Sequence, residues 1–195
     1  MEKHDDELIL DYQNGDRAAL SRLFARYKRP VFNFSLRILG NRADAEDVTG
    51  DVMLVLLKQP QAYVSRPGAK FSTWLFTVAR NTCISRIRKR NKMMGLWFHK
   101  DTSGKYEVWD IPDSRDLPPQ ELSRREAARK IRQAVYELPY NQKEALVLRE
   151  YQNLSYQEIS EVLQTSLDNV KILIFRARER LRGQLAGLIT EEHDG

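Results

Sequence analysis

The amino-acid sequence predicts an all-α fold: two small helical domains joined by a flexible linker, with a helix-turn-helix in the C-terminal domain. Apolar residues recur at spacings of three and four through most of the chain, which is the period of amphipathic helices. The pattern is lost between residues 93 and 119, where prolines and glycines accumulate. We therefore expect domains over residues 1–92 and 120–195 and a linker over 93–119.

The composition excludes several classes of function. The chain has 195 residues, of which 42% are hydrophobic and 30% charged, as in soluble globular proteins. It contains neither the run of ~20 apolar residues that spans a bilayer nor a signal peptide, so we expect a cytoplasmic protein. Cys83 is the single cysteine and the three histidines are scattered. We expect no metal, no cofactor and no small-molecule substrate.

The first two long helices are predicted around residues 20–38 and 44–56. Pro30 should kink or divide the first helix, and Gly40 should end it. The second helix carries Asp44, Asp47 and Asp51 on one face, at positions i, i+3 and i+7.

This acidic stripe runs against local propensity. Like charges at these spacings cost a few tenths of a kcal/mol per pair, and Gly50 costs roughly 1 kcal/mol relative to Ala. We interpret the stripe as a docking surface for a basic partner. A solvated acidic face remains the alternative, and no histidine or phosphate loop accompanies the acids to suggest catalysis.

The following segment is basic. Residues 52–100 contain ten basic and no acidic residues, which suggests a polyanionic partner, although a solvated basic face would look alike. Residues 60–68 read as a loop, and Ser72 should cap a helix that ends near Asn91. Aromatic, amide and basic groups together suit unpaired DNA, although Trp74 is by default a core residue. The candidates are Lys70, Trp74, Arg80, Asn81, Arg86, Arg88, Lys89 and Arg90.

Short helices follow in the C-terminal domain. Asn141 with Glu144, and Ser155 with Glu158, have the spacing of capping boxes. A short helix and a tight turn before the last helix have the dimensions of a helix-turn-helix. The expected helices span residues 120–138, 141–151, 155–163 and 166–188.

The last helix is the candidate DNA reader. Its predicted buried stripe is Leu167, Val170, Ile174, Ala177 and Leu181. The second helix of such a motif enters the major groove, where Asn can pair with adenine, Arg with guanine and Lys with phosphate. An ordinary three-helix domain with a charged surface is the alternative. The predicted reader residues are Ser166, Asp168, Asn169, Lys171, Ile172, Phe175, Arg176 and Arg178.

These segments resemble regions 2 and 4 of the extracytoplasmic-function (ECF) sigma factors, group 4 of the sigma-70 family. The run Asp44-Ala45-Glu46-Asp47 resembles region 2.2, and residues 71–90 resemble regions 2.3 and 2.4. Leu154-Ser155-Tyr156-Gln157-Glu158-Ile159 and the run over 175–181 resemble region 4. The family commonly has Gln at the position of Gly50 and Arg at that of Leu173.

The resemblance implies an RNA polymerase sigma factor that directs promoter recognition, DNA melting and transcription initiation, and not an enzyme. Asp44, Asp47 and Asp51 would bind the β′ coiled coil of core RNA polymerase. Region 2 would hold the melted minus-ten element of promoter DNA, and region 4 would bind the duplex minus-thirty-five element. The resemblance also implies an anti-sigma factor, often membrane-bound, which would hold the chain at the inner face of the membrane.

Two other functions remain open from the residues alone. A DNA-binding regulator that acts without polymerase would explain the helix-turn-helix, but neither the acidic stripe nor the basic helix. A nucleic-acid-processing enzyme such as a recombinase would need a nucleophilic Ser or Tyr beside clustered arginines, or metal-binding carboxylates. Tyr151 and Tyr156 are available, but their positions look structural.

Overall fold

The computed structural model describes residues 3–65, 68, 70–93 and 119–191, and it is all-α over these residues, as predicted. They contain a 3-10 turn at Pro60–Ala62 and no strand, and none of their helices is long and apolar enough to cross a membrane. Residues 94–118, most of the predicted linker, lie outside the described residues. The helices are α1 Asp5–Gln13, α2 Arg17–Leu39, α3 Arg42–Lys58, α4 Phe71–Met93, α5 Pro119–Tyr136, α6 Tyr140–Gln152, α7 Tyr156–Leu163 and α8 Leu167–Glu191.

The N-terminal half packs α1 to α4 around a shared apolar core. α2 starts after Asp16, whose carboxylate accepts a hydrogen bond from the Ala18 amide, and ends at Gly40, where φ is +68°. α2 continues through Pro30, so the division that this residue suggested is absent. The proline removes one helical hydrogen bond, and the complete burial of Val31 and Phe34 on the same helix offsets that loss.

Two features of this half differ from the sequence predictions. The periodicity did not reveal α1, which buries Leu8 and Ile9 in the core. Ser72 is not an N-cap, because α4 already begins at Phe71 and Ser72 lies in its first turn.

The C-terminal half contains the predicted helix-turn-helix. The capping box of Ser155 and Glu158 starts α7, and Gln164 ends it in the left-handed conformation with φ of +53°. The predicted box of Asn141 and Glu144 is wrong, because Pro139 precedes the first residue of α6 and Glu144 lies inside the helix. The defined start and end of α7 orient the turn that leads into α8.

The two halves pack against each other. α6 lies against α2, and α7 lies against α4. Gly40 belongs to this contact, since a Cβ at this position would overlap the ring of Tyr136 in α5. Glycine therefore serves both the left-handed end of α2 and the close approach of α5.

Candidate nucleic-acid and polymerase interfaces

The reader face of α8 is exposed, as the periodicity predicted. Val170, Ile174 and Ala177 are buried against the other helices of the C-terminal half, and Leu181 is half-buried. Leu167 is an exception, with 37% exposed, because it is the first residue of the helix and lies at the rim of the core. The exposed set contains all eight predicted reader residues: Ser166, Asp168, Asn169, Lys171, Ile172, Phe175, Arg176 and Arg178.

The start of α8 is fixed by local hydrogen bonds. Ser166 Oγ accepts from the Asn169 amide at 3.2 Å, and Asn169 Nδ2 donates to Thr165 Oγ1 at 2.8 Å. Lys171 donates to Asp168 at 2.8 Å, and this hydrogen bond lowers the pKa of the Asp168 carboxyl. These bonds hold the polar side chains of the first turns on the face that points away from the core.

Farther along α8, charged and apolar side chains alternate on the surface. Arg176 and Arg178 are both exposed, and Arg178 Nη2 lies 2.6 Å from Glu150 Oε1 of α6. Ile172 and Phe175 are exposed one turn apart, Phe175 at 65%. Leu173 is half-buried against the core, so a side chain there contributes to packing beside the reader face.

The acidic stripe of α3 faces the basic end of α4. Arg86 Nη2 lies 2.6 Å from Asp47 Oδ2, and Arg86 Nε lies 3.7 Å from Asp44 Oδ1. Arg90 Nη1 lies 3.6 Å from the other oxygen of Asp44. Asp47 nevertheless keeps 62% of its side chain exposed, and Asp51 is also exposed. The predicted polymerase-docking and DNA-binding residues therefore share one ion cluster.

Gly50 lies on the exposed side of α3, among these acids. No atom lies within 4 Å of the position that its Cβ would take. Glycine is therefore not required at this site by packing within the chain. The surface between Asp47 and Asp51 is therefore open at this position.

The predicted minus-ten residues fall into four groups. Asn81, Arg88 and Lys89 are exposed along α4, and Arg86 and Arg90 belong to the ion cluster. Trp74 is half-buried, with its ring centroid 5.8 Å from that of Tyr63 and 5.7 Å from that of Phe71. The remaining two are Lys70 and Arg80, which pair with the C-terminal half.

Helix α1 holds the loop before α4, a role that the sequence analysis missed. Asp6 Oδ1 accepts hydrogen bonds from Tyr63 Oη and from the Phe71 amide, both at 2.7 Å. Gln13 Nε2 donates to the carbonyls of Pro60 and Tyr63. The available signal was Leu8, Ile9 and Tyr12 at helical spacing before Asn14-Gly15, but three apolar positions are few for a periodicity.

Burial shifts the pKa of Tyr63 and Cys83. Burial first, and then the hydrogen bond to Asp6, raises the pKa of Tyr63 to about 12, so the phenol remains a donor. Burial raises the pKa of the Cys83 thiol to about 12 as well. Among the described residues, no group of three or more His, Cys, Asp and Glu side chains is placed to hold a metal ion.

Two of the predicted minus-ten residues, Arg80 in α4 and Lys70 just before it, pair with carboxylates of the C-terminal half. Arg80 Nε lies 3.0 Å from Glu144 Oε1 of α6. Lys70 Nζ, just before α4, lies 2.8 Å from Glu158 Oε1 of α7. The sequence analysis did not pair either carboxylate with these cations, because it interpreted both Glu144 and Glu158 as capping residues.

Two protein-family models match the chain. The model of Sigma-70 region 2 matches residues 23–93, and the model of Sigma-70 region 4 matches residues 128–181. The first therefore covers the acidic stripe and α4, and the second covers α6, α7 and the reader face of α8.

Similar proteins agree with these matches. The ECF RNA polymerase sigma factor SigW of Bacillus subtilis is 32% identical over 185 residues, covering 92% of this chain and 96% of that protein. The RNA polymerase sigma-H factor of Pseudomonas aeruginosa is 26% identical over 195 residues, covering 97% and 98%.

Two solved structures show a similar fold. One is the sigma factor RpoE in complex with the anti-sigma factor NepR from Bartonella quintana, with a TM-score of 0.68 and 20% identity, covering 85% of this chain and 96% of that one. The other is CnrH in complex with the cytosolic domain of CnrY, with a TM-score of 0.65 and 20% identity, covering 94% and 97%.

Proposed function

The chain belongs to the ECF sigma factors of the sigma-70 family, and from that premise we propose which of its residues perform each step of promoter recognition. Sigma factors bind core RNA polymerase, direct it to promoter DNA and start transcription. The main support for this assignment is the exposed reader face of α8. The acidic stripe of α3 is separate from that face and lies within the residues that match Sigma-70 region 2.

Core polymerase docks on the outer face of α3. Asp47 and Asp51 are exposed, Asp44 lies beside them, and the surface at Gly50 is open. A stripe of carboxylates on a rigid helix suits a basic helical partner, and in this family that partner is the β′ coiled coil. Docking through α3 leaves the exposed cations of α4, Arg88 and Lys89, available to DNA.

The melted minus-ten strand runs along α4. Asn81, Arg88 and Lys89 are exposed, and the half-buried ring of Trp74 lies near the loop that precedes α4. Single-stranded DNA binds to cations that neutralise its phosphates and to aromatic rings that stack on its bases, and α4 offers both. Lys70, Arg80, Arg86 and Arg90 complete the path after they exchange their present partners.

The upstream element is read by α8 in the major groove. Ser166 and Asn169 lie at the first turn, and Lys171, Arg176 and Arg178 follow on the exposed face. A guanidinium suits guanine, an amide suits adenine, and the exposed Phe175 and Ile172 suit a thymine methyl group. The chain catalyses no reaction in this scheme, since the polymerase supplies the chemistry.

An anti-sigma factor controls the chain in this proposal. The support is the similar fold of RpoE, which is bound to the anti-sigma factor NepR in its solved structure. A membrane-bound inhibitor would hold the complex at the inner membrane face.

The experiment that tests the assignment is a pull-down of purified core polymerase by the tagged chain. The wild type is expected to bind core, and the double variant Asp47→Lys with Asp51→Lys to lose binding, because two carboxylates become cations. Glu7→Lys with Asp11→Lys on α1 is a control with the same charge change. Equal binding by both double variants would remove α3 from the docking surface. Upstream DNA binding without any core binding would favour the polymerase-independent regulator.

A further inference from the structure

We propose that α1 is a positioning element of the strand-binding site, because its polar side chains fix the surroundings of Trp74, the ring on which an unpaired DNA base would stack. This inference rests on the function proposed above, in which the melted strand runs along α4. It adds Asp6, Tyr12 and Gln13, which contact neither the DNA nor the polymerase in that proposal. α1 lies before residue 23, where the match to Sigma-70 region 2 begins.

α1 is itself anchored on the core of the N-terminal half. Leu8 and Ile9 are buried, with 1% and 0% exposed. Asp5 accepts hydrogen bonds from Tyr27 and Arg26 of α2. The burial of two aliphatic side chains and the paired carboxylate keep the helix in one place. The remaining polar side chains of α1 therefore start from a fixed base.

The carboxylate of Asp6 caps α4 from outside that helix. Phe71 is the first residue of α4, so its amide has no acceptor within the helix. Asp6 Oδ1 accepts a hydrogen bond from this amide at 2.7 Å, and an anion at this end of a helix also interacts favourably with the helix dipole. The same oxygen accepts from Tyr63 Oη, also at 2.7 Å. One oxygen atom therefore links Tyr63 to the start of α4.

Two further side chains of α1 bind the chain between α3 and α4. Tyr12 Oη donates to the carbonyl of Leu57, in the last turn of α3, at 3.0 Å. Gln13 Nε2 donates to the carbonyls of Pro60 and Tyr63, at 2.7 and 2.9 Å. The end of α3, the 3-10 turn and the start of α4 are therefore all positioned by one helix.

Tyr63 connects these contacts to Trp74. Tyr63 is 3% exposed, and its ring centroid lies 5.8 Å from that of Trp74 and 5.6 Å from that of Phe71, both edge-to-face. The Phe71 ring lies 5.7 Å from that of Trp74. Two buried rings thus pack against Trp74, which is half-buried and keeps part of its surface accessible. Since aromatic contacts depend on geometry, a shift of Tyr63 would change the surface that Trp74 offers to a base.

The charge of Asp6 acts differently from its hydrogen bonds. The hydrogen bond to Glu158 and, to a smaller extent, the charge of Asp6 raise the pKa of Lys70, a proposed strand-binding cation. An anion in this position weakens the attraction of phosphates, whatever bases the strand carries. Loss of the charge should therefore affect every strand alike, whereas loss of the hydrogen bonds should affect only a strand that has bases to stack.

The test compares two fluorescent strands of equal length, a 20-nucleotide oligo-dT and a chain of 20 abasic sugars. Both carry the same phosphates, but only oligo-dT can stack on an aromatic ring. They are bound to the holoenzyme of the full-length chain with core polymerase, and core polymerase alone gives the background. The wild-type chain is expected to add a preference for oligo-dT of about tenfold, the contribution of one stacked base.

Asp6→Ala should reduce this preference about fivefold, because Tyr63 and the start of α4 lose their common acceptor. Asp6→Asn should retain it, since both hydrogen bonds go to Oδ1 and an amide oxygen can accept them equally. Asp11→Ala removes an exposed carboxylate of the same helix, paired with Lys3, and should match the wild type.

Two milder variants test the remaining contacts. Tyr63→Phe removes the hydroxyl that donates to Asp6 but keeps the ring beside Trp74, and Gln13→Met removes the amide donor at similar side-chain length. Each should reduce the preference for oligo-dT about twofold, as expected for one neutral hydrogen bond. Thermal melting gives the folded fraction of every variant, and these two decide the question if Asp6→Ala fails to fold.

The ratio of the two affinities separates positioning from stability. Partial unfolding lowers the binding of both strands equally, because it reduces only the concentration of active protein. Equal changes for both strands in Asp6→Ala, Tyr63→Phe and Gln13→Met would overturn the proposal. The same conclusion would follow if Asp6→Asn lost the preference as fully as Asp6→Ala, or if the wild-type chain added no preference for oligo-dT.

Failure of the positioning role and failure of the assigned function give different results. If the wild type yields promoter-specific transcripts but the α1 variants keep the preference for oligo-dT, the positioning role is wrong and the function stands. If the preference decreases as predicted but neither the wild type nor any variant supports transcription, the assigned function is wrong and the positioning role stands.

Discussion

The cations of α4 and those of α8 belong to the same residue types but find their partners differently. On α8, Lys171 pairs with Asp168 one turn away and Arg178 pairs with Glu150 of the adjacent α6. On α4, Arg80 pairs with Glu144, and Lys70, just before it, pairs with Glu158, both from the other half of the chain. The pairs on α8 are local and leave the proposed reader face exposed, whereas the pairs of Arg80 and Lys70 join the two halves of the chain. The comparison shows that cations of the same type contribute to packing between the halves on α4 and remain at the surface on α8.

The largest effect is expected from Arg80→Ala. Removing the guanidinium takes away the ion-pair partner that lies 3.0 Å from the buried Glu144, which should lower the free energy of unfolding by about 3 kcal/mol. Arg88→Ala, at an exposed position on the same helix, should change it by less than about 0.5 kcal/mol. Urea denaturation followed by circular dichroism measures both. Equal changes would show that the pair between the halves contributes no more than a surface residue.

A smaller loss is expected from Asp6→Ala, which tests how α1 supports the α4 site. The variant leaves Tyr63 Oη and the Phe71 amide without their acceptor, at a cost of about 2 kcal/mol. Asp11→Ala removes only an exposed ion pair with Lys3 and should cost at most about 1 kcal/mol. The same denaturation experiment compares the two. A cost for Asp6→Ala as low as that of Asp11→Ala would mean that α1 does not hold the loop.

Arg176→Ala tests the exposed surface and should weaken binding to the upstream duplex about tenfold, the value of one good base contact. Association with core polymerase should be unchanged, because Arg176 lies on α8 and the docking residues lie on α3. Fluorescence anisotropy on the duplex measures the change. Arg22→Ala, an exposed arginine on α2, controls for the loss of one positive charge. Unchanged affinity of Arg176→Ala would remove this residue from the reader.

The smallest effect concerns the ion cluster between α3 and α4. A double-mutant cycle of Asp47→Ala and Arg86→Ala should give a coupling of about 0.2–1 kcal/mol, as expected for a partly exposed pair. A cycle of Asp168→Ala and Lys171→Ala on α8 should give a value at the lower end of that range, since both side chains are more exposed. A coupling in the α3–α4 pair far above 1 kcal/mol would indicate a structural role for Asp47 in place of an open docking surface.

Periodicity predicted the elements whose partners are close in sequence. Val170, Ile174 and Ala177 repeat at helical spacing, and one face of α8 follows from that pattern. The aspartates of α3 share a face for the same reason. Leu167 was predicted wrongly because the pattern cannot show where the core ends beside the first turn of a helix.

Contacts between distant residues were beyond the reach of the sequence. Lys70 and Glu158 each had a local interpretation, as a DNA-binding cation and as a capping residue, and nothing local connects them. The same holds for Asp6, whose carboxylate accepts from Tyr63 and Phe71 far along the chain. The short α1 gives its few apolar residues no clear period. Such contacts depend on the packing of whole helices, which no single segment encodes.

The most direct test of the account is run-off transcription with purified core polymerase, the chain and fragments of the source genome. The account predicts promoter-specific transcripts that require the chain and are lost with the double variant Asp47→Lys and Asp51→Lys. It also predicts fewer transcripts with Arg176→Ala at an unchanged amount of bound polymerase. The absence of any transcript that requires the chain, from a core polymerase that transcribes a control promoter when given a different sigma factor, would contradict the account.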